Sequence, residues 1–243
     1  MKKKFSKPKT LIDVSTHYCP GCGHGIMHRV VAEAIDELNL RDKTVGVAPV
    51  GCSVVAYDYW DFDVSESAHG RALAVATGIK RCRPDLFVFT YQGDGDLASI
   101  GLAETVHAAN RGENVSCVFI NNGIYGMTGG QMAPTTLLKE KTVTSPWGRN
   151  PDKGDGYPLK VSEMLAGLRG VGYVERVSVS TPVQVAIAKK AVIKAFQQQL
   201  DKKGFSLVEV LSQCPTVWGK TPVEAVGWMK DNMEKYFPLG RIK

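Results

Sequence analysis

Apolar positions along this chain fall into two alternating periods. Over residues 25–38, Ile26, Val30, Val31, Ala34, Ile35 and Leu38 recur every three or four residues, which places them on one face of a helix. Residues 44–50 then form a short continuous apolar run, the pattern of a strand covered on both faces. The alternation repeats, predicting a helix over 71–81, a strand over 86–91, a helix over 97–111 and a strand over 114–120. Residues 123–160 break it: they are rich in Gly, Pro and Thr, carry little periodicity, and predict a long functional loop region. Beyond them come a short helix near 161–167, a strand near 172–179, a helix over 182–200 and a strand over 205–211. Thr181 is placed to cap the long helix, and Pro182 fits its first turn, where the missing N–H is not needed. A last amphipathic helix is expected over 221–236.

Strands alternating with helices predict an α/β fold, an open, mainly parallel sheet flanked by helices, with no internal repeat. In such sheets ligands bind beyond the carboxyl ends of the strands. A chain of 243 residues with 44% hydrophobic positions can bury a core of this kind as one domain. The domain is read as residues 18–220, with a basic, solvated tail at 1–17 and a helical extension at 221–243. The formal charge of +6 does not change the picture, because five lysines sit in the first nine residues. The body is close to neutral, and no nucleic-acid partner is expected. No apolar run reaches eighteen residues and no h-region follows the first lysines, so neither a membrane span nor a secretory leader is expected. The expected location is the cytoplasm.

Candidate chemistry concentrates at predicted strand ends. The stretch FTYQGDGDLASIG, residues 89–101, runs from a strand through Gly93-Asp94-Gly95-Asp96 into a helix. Asn121-Asn122 follows the next strand, with 25 residues, 96 through 120, between the two motifs. A helix and a strand fill that gap, so Asp94 and Asn122 can converge at neighbouring strand ends. Their oxygens, with a backbone carbonyl, are hard donors suited to Mg²⁺, which shares its remaining positions with phosphates and water. Gly93 and Gly95 let a ligand approach the backbone, and the helix that follows contributes N–H groups to an anion.

Six cysteines in such a chain do not form a disulfide framework. Cys19-Pro-Gly-Cys22 is a CxxC pair, and Cys52 in PVGCS and Cys214 in LSQCPT each stand just past a predicted strand. Four thiolates suit Zn²⁺ or a [4Fe-4S] cluster equally. Cys82 and Cys117 are read as small core residues.

GDG followed by NN resembles the diphosphate motif of thiamine-diphosphate enzymes. Taken in order, HYCPGCGHG, PVGCS, HGRALAVATGIK, GDGD, NNGIYGMTGGQMAPTT and LSQCPT resemble the β subunit of the 2-oxoacid:ferredoxin oxidoreductases, from Tyr18 to Gly219. The resemblance implies Mg²⁺ held by Asp94, Asn122 and the Ile124 carbonyl, and a [4Fe-4S] cluster held by Cys19, Cys22, Cys52 and Cys214. It places Gly51, Cys52, Ser53, His69 and Gly70 beside thiamine diphosphate, and Tyr125, Gly126, Met127 and Thr128 in the loop over its diphosphate and thiazole. His69 is expected as a hydrogen-bond donor to cofactor or substrate.

The implied reaction is CoA-dependent oxidative decarboxylation of a 2-oxoacid, with electrons passed to ferredoxin. The versions GVAPVGCSVVAYDYW and HGRALAVATGIK look most like the branched-chain, 2-oxoisovalerate members, with 2-oxoglutarate or pyruvate as alternatives. The same resemblance implies an α subunit that supplies the activating glutamate, and further γ and ferredoxin-like δ subunits. Two other classes compete: a non-redox thiamine decarboxylase or carboligase, and a non-enzymatic metal-binding subunit.

Overall fold

The computed structural model describes residues 6–243. Helix α1 (Gly23–Glu37) precedes strands β1 (Thr44–Pro49) and β2 (Asp63–Ser67), and α2 (Ala72–Cys82) precedes β3 (Phe87–Gly93). A π-helical turn over Asp96–Ile100 leads into α3 (Leu102–Asn110), and β4 (Ser116–Asn121) follows. A two-residue hairpin, β5 (Ile124–Tyr125) with β6 (Gln131–Met132), opens the loop region. Then come α4 (Val161–Ala166), β7 (Val171–Ser178), α5 (Pro182–Leu200) and β8 (Phe205–Leu211). The chain closes with α6 (Pro215–Trp218), α7 (Pro222–Trp228), a second π turn over Met229–Met233, α8 (Glu234–Tyr236) and β9 (Gly240–Arg241).

Seven strands form one sheet in the order β2-β1-β3-β4-β8-β7-β9, parallel throughout except for β9, which runs antiparallel to β7. The continuous apolar runs resolve into two faces, because successive side chains on a strand point opposite ways. Phe87, Phe89 and Tyr91 of β3 face one way and join Met27, Val31 and Ile35 of α1 and Val192 and Phe196 of α5. Val88 points to the other side, where α2, α3 and α4 bury Leu73, Ala76, Ala108 and Leu165. Each fully buried Val, Leu, Ile, Phe or Met side chain among them contributes roughly 1.5–3 kcal/mol. The Thr181 hydroxyl accepts from the Gln184 N–H at 3.1 Å, with Pro182 in the first turn of α5.

Several expectations meet a different structure. The expected tail does not extend to residue 17 as free chain: Thr10 is buried and donates to the Ala32 carbonyl, and Leu11 bridges to Trp60. Residues 1–5 of that tail lie outside the described residues. Cys117 is buried in β4 as expected, but Cys82 ends α2 on its outer side and is exposed. The helix expected over 97–111 begins as the π turn, with the Gly101 N–H donating to the Asp96 carbonyl. The last helix also passes through a π turn, while Ala225, Met229, Met233 and Phe237 keep four-residue spacing, the last three packing with Leu137 and Leu211. Among the described residues no helix is long and apolar enough to cross a membrane.

Candidate functional site

The loops after β1, β2, β3, β4 and β8 leave the same edge of the sheet, and these five strands are consecutive neighbours. They carry in turn Gly51-Cys52-Ser53, His69-Gly70, Asp94-Gly95-Asp96, Asn122 and Cys214. Strand β2 lies on one side of β1 and β3 on the other, so the chain reverses direction across the sheet there, which opens a crevice. A cavity of about 450 Å³ occupies this edge. Its lining includes Gly51, Cys52, Ser53, His69, Gly93, Asp94, Gly95, Asp96, Asn122, Ile124, Tyr125, Gly126, Met127 and Thr128. Gly70 is not in the lining; its N–H donates to Asp96 Oδ1 from behind.

Asp94 is held from two sides. Thr135 Oγ1 donates to its Oδ2 at 2.6 Å, and the Gly95 N–H donates to Oδ1 at 2.8 Å. Burial nevertheless pushes the carboxyl up to about 6, against those hydrogen bonds. A cation beside it would favour the ionised form. Asn122 Oδ1 accepts from the Ile124 N–H at 3.2 Å, closing the turn that sets Asn122 beside the cavity. The faces of Gly51 and Gly93 have no heavy atom within 4 Å of where a Cβ would stand, so bare backbone borders open space. This donor set fits a cation carrying a diphosphate: one buried carboxylate, an amide oxygen and glycine backbone.

His69 Nδ1 lies 2.6 Å from the Val50 carbonyl and 3.5 Å from Asp96 Oδ1. With the Nδ1–H donated to Val50, Nε2 is the ring nitrogen left for the cavity, an acceptor in the neutral ring and a donor in the protonated one. His24 also lines the cavity, held by a 2.9 Å contact between Nδ1 and Tyr91 Oη, and burial pushes it down to about 3. His24, Gln131 and Thr135 escaped the sequence reading. All three had a signal, His24 by its place within HYCPGCGHG and Gln131 and Thr135 by theirs within NNGIYGMTGGQMAPTT.

The four thiols lie near enough to one another to interact electrostatically, and Cys52 is among the cavity-lining residues. A Cβ at Gly126 would stand 3.3 Å from Cys52 Sγ and 3.5 Å from Cys214 Sγ, so the bare backbone of Gly126 packs against these two thiols at the cavity wall. The CxxC turn closes with the Cys22 N–H on the Cys19 carbonyl at 3.0 Å. Burial and their mutual charge push Cys22 up to about 11 and Cys214 up to about 12, and raise Cys52. Backbone N–H groups of His24, Met127 and Val217 oppose this by donating to Cys22, Cys52 and Cys214 respectively. Thiols that repel one another as anions, three of them buried or half-buried and receiving N–H donors, fit a cationic metal core between them. Among the described residues no three His, Cys, Asp or Glu side chains gather closely enough for a single metal ion.

Comparison with known proteins places this architecture. Residues 49–210 match the model of the thiamine pyrophosphate enzyme C-terminal TPP-binding domain. The chain is 50% identical over its whole length to the ketoisovalerate oxidoreductase subunit VorA of Methanothermobacter thermautotrophicus, and it spans about half (53%) of that relative's length. It is 40% identical to the 2-oxoglutarate synthase subunit KorB of Archaeoglobus fulgidus, over 97% of this chain and 83% of the relative. A 2-oxoglutarate:ferredoxin oxidoreductase from Magnetococcus marinus, solved with 2-oxoglutarate, coenzyme A and succinyl-CoA bound, superposes with a TM-score of 0.77 at 32% identity. That match covers 95% of this chain and 74% of the solved one. The chain therefore belongs to the thiamine pyrophosphate-binding family and, within it, to the subunits of 2-oxoacid:ferredoxin oxidoreductases.

Proposed function

We propose that this chain is the cofactor-carrying β subunit of a cytoplasmic, CoA-dependent 2-oxoisovalerate:ferredoxin oxidoreductase. The observation that carries the reading is Gly126, which lines the diphosphate-type cavity and whose absent Cβ would stand 3.3 Å from the Cys52 thiol and 3.5 Å from the Cys214 thiol. Such an arrangement brings a carbon-centred cofactor within short reach of an electron acceptor. Asp94, Asn122 and the Ile124 carbonyl would hold Mg²⁺, and Cys19, Cys22, Cys52 and Cys214 a [4Fe-4S] cluster. Bound thiamine diphosphate would supply the electron sink for decarboxylation, and the cluster would accept electrons singly.

The chain's own residues bind, orient and exclude. Gly93 keeps side chains clear of the diphosphate, whereas the Tyr125 ring packs where a Cβ of Gly95 would stand, its hydroxyl donating to the Gly95 carbonyl at 3.1 Å. His69 Nε2 is placed to accept a proton or hydrogen bond at the cavity wall. The balanced reaction is 2-oxoacid plus CoA plus two oxidised ferredoxins, giving acyl-CoA, carbon dioxide, two reduced ferredoxins and a proton. The activating glutamate is assigned to an α subunit, with γ and ferredoxin-like δ subunits completing the assembly. The similarity to proteins named as subunits supports a multi-subunit enzyme.

The branched-chain substrate is favoured because identity to the ketoisovalerate relative is 50%, against 40% for a 2-oxoglutarate relative. The test is anaerobic purification with the partner subunits, followed by CoA-dependent viologen reduction with 2-oxoisovalerate, 2-oxoglutarate and pyruvate. Fastest reduction with 2-oxoisovalerate is expected. Preference for 2-oxoglutarate would move the chain to the other branch, and iron-free, viologen-silent protein would overturn the redox reading.

A further inference from the structure

Only one of the two adjacent asparagines reaches the cavity. Asn121 is fully buried and turns toward the sheet, where its Nδ2 donates to Glu209 Oε1 at 2.7 Å. Its Oδ1 accepts from the Gly123 N–H at 3.2 Å. Gly123 has φ +68°, so this bond pins the left-handed step of the turn that presents Asn122 and Ile124. Glu209 lies on β8, 88 residues from Asn121, and is buried to 1% exposure. Its Oε2 accepts from Arg176 Nε at 2.8 Å and from Ser162 Oγ. Arg176, equally buried, grips Glu163 with two further N–H groups at 2.8 and 2.6 Å. A buried charge pair is retained at a cost in desolvation, so a fully hydrogen-bonded one aimed at a functional turn points to a specifying role.

We propose that Glu209 is the positioning residue of the cation site: through Asn121 it fixes the 121–124 turn, and Arg176 holds Glu209 in register. The inference rests on the cation site proposed above. The hydrogen-bond directions make it testable. In Glu209→Gln the new amide oxygen can still accept from Arg176 and Ser162, which turns its NH₂ toward the Asn121 NH₂. Asn121 then either flips, so that its NH₂ faces the Gly123 N–H and the bond that pins the turn is lost, or stays and faces the new NH₂ group with no bond to residue 209. Either way one of the two bonds that hold the turn is lost. In Asn121→Asp two carboxylates face one another at the same point. Combined, the two substitutions restore every pairing: the amide introduced at position 209 donates to one oxygen of the carboxylate introduced at position 121, and the Gly123 N–H donates to the other.

The experiment titrates Mn²⁺, standing in for Mg²⁺, into the assembled enzyme with thiamine diphosphate present, and reads free Mn²⁺ by EPR alongside thermal unfolding. Each single substitution is expected to weaken Mn²⁺ by about 10- to 100-fold, the range for residues that orient a ligand. The double variant is expected to return to within about threefold, since contacting residues couple. Asn121→Ser, which drops both bonds without adding charge, gives the same reading if either single variant fails to fold. Lowered unfolding temperatures with unchanged Mn²⁺ affinity would overturn the positioning role and leave the cation site standing. Absence of diphosphate-dependent Mn²⁺ binding in the unmodified enzyme would remove the cation site and this role together.

Discussion

Glu140 carries a carboxyl that the packing of residues 134–149 turns away from water. Its Oε2 accepts from the Leu137 N–H at 2.9 Å, and burial, with the nearby charge of Asp94, pushes it up to about 8 from 4.5, against the pull of Arg149. Between those pH values the folded chain holds a proton there that the unfolded chain has released. Stability must therefore fall as pH rises from about 4.5 through about 8. Glu140→Gln removes that dependence. Thermal unfolding should show the variant equal to the parent near pH 5 and more stable above pH 8, by at least about 2–4 °C, the shift that ~1 kcal/mol makes in a chain of this size. Parallel curves across the range would mean that the carboxyl stays ionised in contact with water. Asp94 gives the complementary result at the proposed cation site. Asp94→Asn keeps the size and the acceptor for Thr135 but removes the charge, so diphosphate-dependent Mg²⁺ binding, read by calorimetry, should fall by about tenfold or more while the fold stays intact.

At the scale of elements, the cavity wall depends on two backbones crossing closely behind it. Gly70, at φ +79°, lies on the turn between β2 and α2, and a Cβ there would meet Ile100 Cγ2 at 2.5 Å and the Gly101 nitrogen at 2.8 Å. Gly70→Ala adds backbone strain to that clash, and urea unfolding should show a loss of roughly 1–3 kcal/mol or more. Because His69 precedes it, the Val50 contact should loosen as well. The wall was only partly legible in the sequence. Strands β1, β3, β4, β7 and β8 were readable because helices cover both faces and force apolar runs. Strand β2 was not: DVSES, at the sheet edge, is half exposed and mixes polar with apolar positions. The β5–β6 hairpin has two residues per strand, too few to carry a period. The π turns escaped because apolar spacing alone does not separate a slightly wider helical turn from an α-helical one.

Across the whole molecule, the motif residues were legible and their supports were not. Asp94, Asn122 and the cysteines announce themselves by residue type and order, whereas Thr135 reaches Asp94 across 41 residues and Glu209 reaches Asn121 across 88. Such partners exist only once the sheet has assembled. The C-terminal segment shows the same long reach. A Cβ at Gly21, in the CxxC turn, would stand 2.5 Å from Pro222, so α7 begins against the thiol loop. The segment then crosses Leu137 and Leu211, gives the Pro238 carbonyl to Arg176 at 3.2 Å, and ends as β9 on the outer edge of β7. There the Ile242 N–H donates to the Val174 carbonyl at 2.8 Å and the Val174 N–H donates to the Lys243 carbonyl at 3.2 Å. Deleting residues 239–243 removes this cover and leaves β7 as an unpaired edge, the kind that recruits another chain. Light scattering at matched concentrations should find the truncated protein associating where the full chain does not, with a lowered unfolding temperature. Because Pro238 and Arg176 remain, Mn²⁺ affinity should hold within about threefold, by the near-independence of sites that share no partner. A truncated chain that stays monodisperse and equally stable would show that the edge of β7 is protected by its own twist and charge rather than by β9.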